Sequence, residues 1–459
     1  MARFRMVRGL ALGAVMVFSA VGLGGSAIGG QYTAFAGGVS PMLAGLRDVG
    51  SLTFPPTTAQ CQQIFGINCY QPPQYQRAYN LQPLFNRGLD GRGRTIVIID
   101  SFGSPTIQQD LTFFDKTFDL PDPPSFTIRQ DAGPVPSFDV TNADMRGWAT
   151  ETTLDVEYAH VIAPGANIVL EETPVSETEG LQGFPEINTA ANYAIDHGIG
   201  DVISQSFGAT EQTFASPQQL LGQRGYLKNA ARHHVTVLAS SGDQGAAGVS
   251  SAVTFDIFPF PAVIWPASDP LVTAVGGTEM HLDAQGNRTA PDNVWNDAPV
   301  GINAAAGGGV SSIFDKPRFQ EDVTTRGDAR GIPDISLSAA VDGGAVVYYT
   351  FTKPLGGTPW HIVGGTSEAC PLLAGVIAIA DQLAGHRLGN INERLYGLAD
   401  EDGAGGIVDV TTGDISYSQV NSDGTTVSIS GPAATRGYDL ASGLGTVNAA
   451  RFVPALAHD

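Results

Sequence analysis

Short apolar runs alternate with helical patterns over most of this chain, and this alternation restricts the fold more than any other feature. A parallel pair of strands needs a crossover between its members, so such a chain builds a mostly parallel, twisted sheet with helices on both faces. We therefore predict an α/β fold of the doubly wound type in one large domain. The predicted strands are Thr95–Asp100, Asn167–Leu170, Val202–Ser206, Val235–Ala239 and Leu271–Val275, and the predicted helices lie around Ile107–Thr117, Glu151–Val161, Ile187–His197, Gln218–His234 and Thr366–Gln382.

The segment Gly364–Pro371 indicates a serine nucleophile at the start of a helix. Two glycines permit a sharp turn before Thr366 and Ser367, and small and apolar residues then continue in a helical pattern. The first N–H groups of a helix are not used by its own hydrogen bonds, so they suit a developing oxyanion. A serine hydroxyl is a weak nucleophile until a base takes its proton. The chemistry therefore depends on which base the chain supplies.

Two acidic residues, Glu151 and Asp155, lie four positions apart in a segment that suits a helix ending before Pro164. This spacing puts both carboxylates on one face of the helix. A solvated acidic face is the alternative interpretation. No histidine motif in the chain is fit to serve as the base, and this favours the carboxylates.

Two further aspartates are predicted where strands end. Asp243 follows the apolar run Val235–Ala239 at a glycine turn, which places it at the sheet edge where open α/β folds bind ligands. A turn aspartate is the alternative for this position. Asp100 also ends a buried strand, where it is either an acid behind Asp155 or a strand-end cap. We leave Asp100 outside the catalytic set.

Together, these acids and the serine segment resemble one family, the sedolisins, also called serine-carboxyl peptidases. The resemblance covers nearly everything from about Tyr75 to the C-terminus. Sedolisins commonly carry a long folded N-terminal prodomain, which is not recognisable in this chain. The segments that carry the resemblance, in chain order, are Thr95–Asp100, Val202–Gly208, Thr273–Thr278, Gly307–Ser311, Pro333–Ser336, Gly437–Asp439 and Gly443–Gly445.

The resemblance implies a subtilisin-like fold, with Ser367 as the nucleophile and Glu151 as the general base that receives its proton. It implies that Asp155 orients Glu151 and that Asp243 lines the oxyanion hole with the backbone N–H of Ser367. A carboxylic acid donates a hydrogen bond to an oxyanion only while it is protonated. Free Asp and Glu titrate near about 4, so the expected activity is that of an acid-active endopeptidase that forms an acyl-enzyme.

Proteins or peptides are the expected substrates. Ser206, Phe207 and Gly208 follow a predicted strand and are expected to border the substrate cleft. An extended peptide would pair with this backbone by strand addition, which orients the scissile bond without reading the side chains.

Two other activities stay open as alternatives. A subtilisin-like Ser-His-Asp peptidase would use Asp100, His160 and Ser367, which occur in the right chain order. On a helix, however, His160 is turned away from Glu151, and the histidine motif of subtilisins is missing. We interpret His160 as a helix-end histidine favoured by the helix dipole. A catalytically silent pseudopeptidase that binds peptides is the second alternative, although neither the serine nor the acids are lost.

Two glycine-rich segments near the C-terminus resemble those that hold structural calcium in sedolisins. The family pattern assigns the side chains of Asp409 and Asp439 and the carbonyls of Val410, Thr435 and Gly437 to one Ca²⁺ ion. Carboxylate and carbonyl oxygens are the ligands that Ca²⁺ prefers. A pair of surface turns rich in Asp and Gly is the alternative interpretation.

The charge of the chain limits its partners. The formal net charge is −21 at pH 7, although charged residues make up only 15% of the chain. Such a surface argues against nucleic acids and anionic membranes as partners. We expect a monomer with no membrane association beyond export.

The N-terminus indicates export. A basic start is followed by an apolar stretch, Gly9–Gly24, and by small residues that suit cleavage after Ala27 or Ala36. A membrane anchor is the alternative, but the stretch is short and broken by glycines. We predict a signal peptide over residues 1–36, a linker or short pro-segment over 37–74, and the peptidase domain with its calcium loops over 75–459. The protein is expected to be secreted into the extracellular medium.

The three cysteines fit an oxidising compartment. Cys61 and Cys69 bracket a short loop and suit a disulfide. Cys370 lies three residues after Ser367 and is expected to be a buried thiol that packs as a small apolar side chain. It lacks the histidine partner that a cysteine nucleophile would need.

Overall fold

A computed structural model describes residues 55–323, 327–399 and 405–458, together with the backbone of residues 44–48. The predicted signal peptide over residues 1–36 lies outside the described residues. So does most of the predicted linker before residue 55.

Helices and strands alternate along the described residues. The helices are α1 (Thr58–Phe65), α2 (Pro72–Ala78), α3 (Gln82–Phe85), α4 (Ile107–Phe118), α5 (Ala143–Ile162), α6 (Phe184–Asp196), α7 (Pro217–Gly222), α8 (Gly225–Arg232), α9 (Thr366–Ala384), α10 (Asn392–Ala399) and α11 (Ala449–Ala457). The strands are β1 (Ala44–Asp48), β2 (Cys69–Tyr70), β3 (Thr95–Ser101), β4 (Phe126–Arg129), β5 (Asn167–Thr173), β6 (Val202–Gln205), β7 (Ala209–Thr210), β8 (Thr236–Ser240), β9 (Ala247–Val249), β10 (Ile257–Pro261), β11 (Ile264–Trp265), β12 (Thr273–Glu279), β13 (Asn293–Val294), β14 (Gly309–Asp315), β15 (Ala329–Ile332), β16 (Ile335–Ser338), β17 (Gly344–Tyr348), β18 (Trp360–Gly364), β19 (Ile407–Val408), β20 (Tyr417–Val420), β21 (Thr426–Ile429) and β22 (Thr446–Val447).

The central sheet follows the order β13-β12-β8-β6-β3-β5-β4, and β16 also pairs with β12. All its strand pairs are parallel except β12 with the short edge strand β13. The carboxyl ends of the parallel strands meet at one edge, which is where an open α/β fold forms its site. The predicted doubly wound, mostly parallel α/β fold is confirmed.

Strand β3 shows why the sheet is covered on both faces. Ile96 and Ile98 belong to one apolar cluster, which includes residues of α5 and α9, whereas Val97 and Ile99 belong to a second cluster with residues of α6 and α8. Successive side chains of a strand point to opposite faces, so a strand buried on both sides is a continuous apolar run. This is why the sequence pattern located β3 correctly.

Two of the predicted helices differ strongly from the observed ones, whereas the ends of the other three differ by at most three residues. The helix predicted over Gln218–His234 is two helices, α7 and α8, because glycines flank the break and Arg224 within it pairs with Asp269 at 2.5 and 2.8 Å. Helix α5 begins at Ala143, eight residues earlier than predicted. The side chain of Asn142 caps it by accepting hydrogen bonds from two backbone N–H groups of its first turn.

The linker interpretation is wrong for residues 55–74, because these residues fold. They contain α1, β2 and the start of α2; β2 pairs with β17, and a disulfide joins Cys61 to Cys69 as predicted. Both cysteines and Tyr70 are buried in the core. Whether any residue before 75 is removed as a pro-segment stays a prediction.

Helix α9 is the core helix that carries Ser367. Of the helices in the described ranges, it alone is long and apolar enough to cross a membrane, and 83% of its most apolar window is buried inside the protein. It packs against α5 and against several strands of the central sheet. The two helices that carry the predicted nucleophile and base are therefore direct neighbours.

Candidate active site

Helix α5 presents Glu151 and Asp155 to the interior. Both side chains are fully buried, and every residue from Gly147 to Ile162 is buried as well. The interpretation of these acids as a solvated face is therefore wrong. Because α5 packs along α9, its acidic face meets the helix that begins at Thr366.

The first turn of α9 is shaped by three residues around Ser367. Gly365 precedes the helix with φ 138°, a conformation that side chains rarely tolerate. Pro371 has no backbone N–H, so the carbonyl of Ser367 lacks the donor that a helix normally supplies four residues later. Ser206 Oγ lies 3.3 Å from this carbonyl instead. Because of Pro371, the carbonyl of Ser367 is therefore held by a tertiary contact with Ser206.

Ser367, Glu151 and Asp155 come together in the buried space between α5 and α9. The hydroxyl of Ser367 is close enough to Glu151 to lower the pKa of that carboxyl. The same hydroxyl lies 3.5 Å from the carbonyl of Ser206. Ser206 donates to Asp155 Oδ1 at 2.9 Å. Ser206 therefore connects Asp155 to the peptide unit of the nucleophile.

The electrostatics of the site favour neutral carboxyls. Burial raises the pKa of Glu151 well above its ordinary value, and the charge of Asp100 adds to the increase, whereas the nearby hydroxyl of Ser367 opposes it. Burial likewise raises the pKa of Asp155, with further increases from Asp100 and Glu151. Burial raises the pKa of Asp100 itself to about 7. The three acids interact strongly, so their protons belong to the group rather than to single residues.

Asp243 lies at the other side of the start of α9. It is buried beyond the end of β8, and its Oδ1 accepts hydrogen bonds from both the backbone N–H and the hydroxyl of Thr366, each at 2.8 Å. The interpretation of Asp243 as a simple turn residue does not account for these contacts. Thr366, which the sequence analysis treated only as part of the turn, is the residue that holds Asp243 beside the nucleophile.

The histidines of the subtilisin-like alternative make contacts away from this group. His160 Nε2 lies 2.7 Å from the carbonyl of Pro121 and 3.4 Å from Asp115. Burial lowers the pKa of His160 to about 4, so it is neutral at most pH values, and the interpretation that the helix dipole stabilises its charge is wrong. His361 stacks on Tyr349 with ring centroids 3.7 Å apart.

Cys370 is a buried free thiol, as expected. Its sulfur lies 3.3 Å from the hydroxyl of Ser204, and burial raises its pKa to about 12. A thiol with such a high pKa is a poor source of thiolate, which is the nucleophilic form.

The predicted cleft residues contribute buried side chains. Phe207 is fully buried and packs near Trp148 of α5, and the side chain of Ser206 is directed to Asp155. Gly208 is partly exposed, and a Cβ there would lie 2.8 Å from the carbonyl of Trp265. Only backbone groups of this segment are therefore suited to contact a peptide, and their role in binding stays a prediction.

The two predicted calcium segments contact each other. Asp409 Oδ2 accepts a hydrogen bond from the N–H of Gly437 at 2.9 Å, and Asp439 Oδ2 accepts one from the N–H of Thr435 at 2.7 Å. Ser442 Oγ lies 3.4 Å from the carbonyl of Val410. Two carboxylates thus flank one short loop. No group of three or more His, Cys, Asp or Glu side chains suited to a metal occurs in the described part of the chain.

A model of the subtilase family matches residues 147–391, which is more than half of the chain. The chain belongs to the subtilase family. The matched range contains Glu151, Asp155, Asp243 and Ser367, and it ends just after α9.

Its relatives confirm the predicted membership of the sedolisin family within these peptidases. Kumamolisin from Bacillus sp. (strain MN-32) is 31% identical over 340 residues, which are 72% of this chain and 56% of kumamolisin. Sedolisin from Pseudomonas sp. (strain 101) is 29% identical over 51% of this chain and 39% of its own length. Tripeptidyl-peptidase 1 from Homo sapiens is 30% identical over 57% of this chain and 44% of its own length. The chain spans about half the length of these curated relatives.

A solved structure supports the fold. Pseudomonas sedolisin, a serine-carboxyl proteinase complexed with two molecules of pseudo-iodotyrostatin, superposes with a TM-score of 0.68 at 26% sequence identity. The match covers 84% of this chain and 98% of the sedolisin chain. The predicted subtilisin-like architecture is confirmed.

Proposed function

We propose that this protein is a serine-carboxyl endopeptidase in which Ser367 is the nucleophile and Glu151 the general base. The proposal is carried by one observation: where α5 packs on α9, the buried carboxyl of Glu151 is close enough to Ser367 for the hydroxyl to lower its pKa, whereas His160 contacts the carbonyl of Pro121. Family membership supports peptide bonds as the substrate, since the relatives are peptidases and proteinases by name.

The reaction begins when Ser367 Oγ forms a bond to the carbonyl carbon of the scissile peptide. The reactive form of the coupled acids is the one in which Glu151 is ionised. In this form the hydroxyl proton of Ser367 moves to the Glu151 carboxylate, and the carbonyl electron pair moves to the carbonyl oxygen. Glu151 then gives the proton to the leaving amine as the C–N bond breaks, which leaves an acyl-enzyme. Water attacks the acyl group with the same base, and the proton returns to Ser367. Asp155 acts on Glu151 through charge, and Ser206 connects Asp155 to the carbonyl of Ser367.

Asp243 and the N–H of Ser367 stabilise the oxyanion in this scheme. Asp243 Oδ1 already accepts two hydrogen bonds from Thr366, so the proton of a neutral Asp243 is carried by Oδ2. Preorganised donors of this kind contribute about 10²–10³ in rate each. Because a carboxylic acid donates only while it is protonated, this role of Asp243 requires acid. This requirement supports an acid-active enzyme.

The first test is cleavage of denatured haemoglobin from acid to neutral pH, with the full chain and its Ser367→Ala variant. We expect cleavage in acid that the substitution abolishes. A neutral or alkaline optimum would instead point to a histidine base. Absence of cleavage at every pH by a folded wild-type protein would contradict the proposal and favour a peptide-binding pseudopeptidase.

We also propose one structural calcium ion at the loops that contain Asp409 and Asp439. The donor set fits the ion, because it consists only of carboxylate and carbonyl oxygens, and because Asp439 is buried with its pKa raised by desolvation. The carbonyls of Val410, Thr435 and Gly437 complete the proposed set. Bound calcium would hold the two loops together and neutralise the buried charge of Asp439.

Removal of calcium is expected to lower the melting temperature of the protein. A ligand present at about 100 times its Kd stabilises the folded state by about 2.7 kcal/mol, and chelation removes this contribution. Thermal unfolding of the Ser367→Ala protein with calcium and with EGTA measures the effect. Asp409→Asn should unfold at the lower temperature under both conditions, whereas Asp423→Asn, an exposed aspartate, should behave like the parent. An unchanged melting temperature in EGTA would refute the calcium site.

Export is part of the same proposal. The basic and apolar N-terminus supports a signal peptide, and the Cys61–Cys69 disulfide supports an oxidising compartment. We propose that the enzyme acts as an extracellular monomer on proteins or peptides.

A further inference from the structure

An acidic residue lies directly beside the nucleophile in the first turn of a mostly apolar helix. Glu368 follows Ser367 and is fully buried, and the next residues of α9 are small or apolar. Consecutive residues of a helix point about 100° apart, so the side chain of Glu368 leaves the helix in another direction from that of Ser367. The mechanism above gives this carboxyl no role. A buried carboxyl is costly, so its presence calls for a partner.

One partner is Tyr75 of α2, and Ser338 and the backbone of Ala345 also act on this carboxyl. The hydroxyl of Tyr75 lies 2.8 Å from Glu368 Oε1, and it is also 3.3 Å from the carbonyl of Gly343. The ring of Tyr75 packs edge-on against Tyr158, with centroids 5.0 Å apart. Tyr158 belongs to α5 and follows Asp155 by three positions. Tyr75 therefore contacts both helices of the catalytic group, α9 through a hydrogen bond and α5 through a ring.

Tyr75 is itself firmly held. It belongs to the N-terminal clasp, by which we mean residues 55–81. The clasp is closed by the Cys61–Cys69 disulfide and joined to the body through the pairing of β2 with β17. Gln76, the next residue, donates to the carbonyl of Val161 in α5 at 2.9 Å. The clasp thus fixes the position of the Tyr75 hydroxyl relative to both helices.

We propose that Glu368 and Tyr75 form a positioning pair that sets the first turn of α9, and with it Ser367, relative to Glu151 on α5. The inference rests on the proposed roles of Ser367 and Glu151. Ser206 contacts the carbonyl of Ser367, and Thr366, the residue before the serine, contacts Asp243. These two contacts hold one side of the serine backbone. The pair adds a restraint on another side of the helix. A displacement of about 1 Å at a reacting atom costs up to about 10²-fold in rate, so loss of this restraint should appear in kcat.

The test compares Tyr75→Phe and Glu368→Leu with Glu368→Gln and Tyr70→Phe. The first two remove the hydrogen bond, whereas the amide oxygen of glutamine still accepts it. Tyr70→Phe is the matched control. Tyr70 is a buried tyrosine of the same clasp, and its hydroxyl donates to the carbonyl of Met280 and accepts from the N–H of Leu282. Tyr70→Phe therefore removes two hydrogen bonds of a buried tyrosine hydroxyl that do not involve α9.

The substrate is an internally quenched peptide built on a site that the wild-type enzyme cleaves in denatured haemoglobin. We expect Tyr75→Phe and Glu368→Leu to lower kcat about tenfold with KM within about twofold of wild type. Glu368→Gln and Tyr70→Phe should keep kcat within about twofold. Wild-type kcat in folded Tyr75→Phe and Glu368→Leu would overturn the proposal. So would an equal loss of kcat in Tyr70→Phe, because the clasp would then act only through stability.

A second readout does not depend on activity. Hydrogen exchange followed by mass spectrometry should show faster exchange of the segment around Ser367 in Tyr75→Phe and Glu368→Leu, but not in the two other variants. Unchanged exchange in all four variants would refute the positioning pair even in a protein with no peptidase activity. Failure of the proposed function is seen separately, as wild-type protein that cleaves nothing or as cleavage that survives Ser367→Ala.

Discussion

Glu151→Gln is expected to lower kcat at least about 10³-fold while the protein stays folded and KM changes little. Glutamine has the shape of glutamate, but its amide cannot receive the hydroxyl proton of Ser367. General-base catalysis contributes about 10²–10⁴, and loss of a residue that acts as a unit with the nucleophile costs more. For the same reason, adding Glu151→Gln to Ser367→Ala should cause no further loss of kcat.

Glu157→Gln is the matched control for this experiment. Glu157 is also a fully buried glutamate of α5, and its pKa is also raised well above the ordinary value by burial, but its Oε2 accepts a hydrogen bond from the N–H of Tyr348. We expect wild-type kcat in this variant. Steady-state kinetics in acid on a quenched peptide substrate measures kcat and KM for Glu151→Gln and Glu157→Gln. Near-normal kcat in Glu151→Gln would contradict the proposed base.

The folded protein is expected to be most stable in acid and to lose free energy of unfolding as the pH rises from about 4 to about 8. Burial raises the pKa of many carboxyls: to about 7 for Asp100 and Asp381, to about 8 for Asp115, Glu171 and Glu368, and well above the ordinary value for Glu151, Asp155, Glu157 and Glu177.

The sign follows from proton binding. In the unfolded chain these carboxyls release their protons near pH 4, whereas in the folded protein they keep them to higher pH. Between these values the unfolded state binds fewer protons, so the free energy of unfolding falls as the pH rises. His160 acts in the opposite direction, because burial lowers its pKa from 6.5 to about 4 and its contribution is lost as the pH falls through that range. The carboxyls with raised pKa values are more numerous than this histidine, so their effect on the free energy of unfolding is expected to dominate.

The magnitude is large enough to unfold the protein. One pKa unit corresponds to about 1.4 kcal/mol, so a difference of one unit at only a few of these sites amounts to about 5 kcal/mol, comparable with the net stability of a domain. Thermal unfolding of the Ser367→Ala protein at pH 4, 6 and 8 measures the effect without self-digestion. The loss between pH 4 and pH 8 should shrink in Glu157→Gln and stay unchanged in Asp139→Asn, whose aspartate is exposed. A melting temperature that is constant or rises with pH would contradict this expectation.

The local patterns of the chain predicted β3, β5, β6, β8 and β12 of the central sheet, but not β4, β13 and β16, and they indicated the candidate residues. Strand β3 is buried on both faces, so its sequence is an unbroken apolar run. The spacing of Glu151 and Asp155 predicts that the two side chains share one face of a helix. The glycine turn before Thr366 and the proline after it mark the start of α9. These features depend on residues a few positions apart, which is the range over which backbone geometry acts.

Other features required knowledge of which elements pack together. The burial of the α5 acids depends on α9, and the split between α7 and α8 accompanies the ion pair of Arg224 with Asp269. The folding of residues 55–74 depends on strand β17, far along the chain. A sequence signal existed for the contact of Glu368 with Tyr75, since a glutamate beside Ser367 is unusual in a mostly apolar helix.

The amino-acid sequence therefore settles the α/β architecture, the family and the chemical types of the groups available for catalysis. Tertiary structure decides which of these groups meet. Tyr75 and Glu368 are 293 positions apart, and Thr366 and Asp243 are 123 apart. The periodicity of a helix or strand is set by the local backbone, whereas contacts across such distances, and the pKa values that burial produces, exist only once the helices have packed on the sheet.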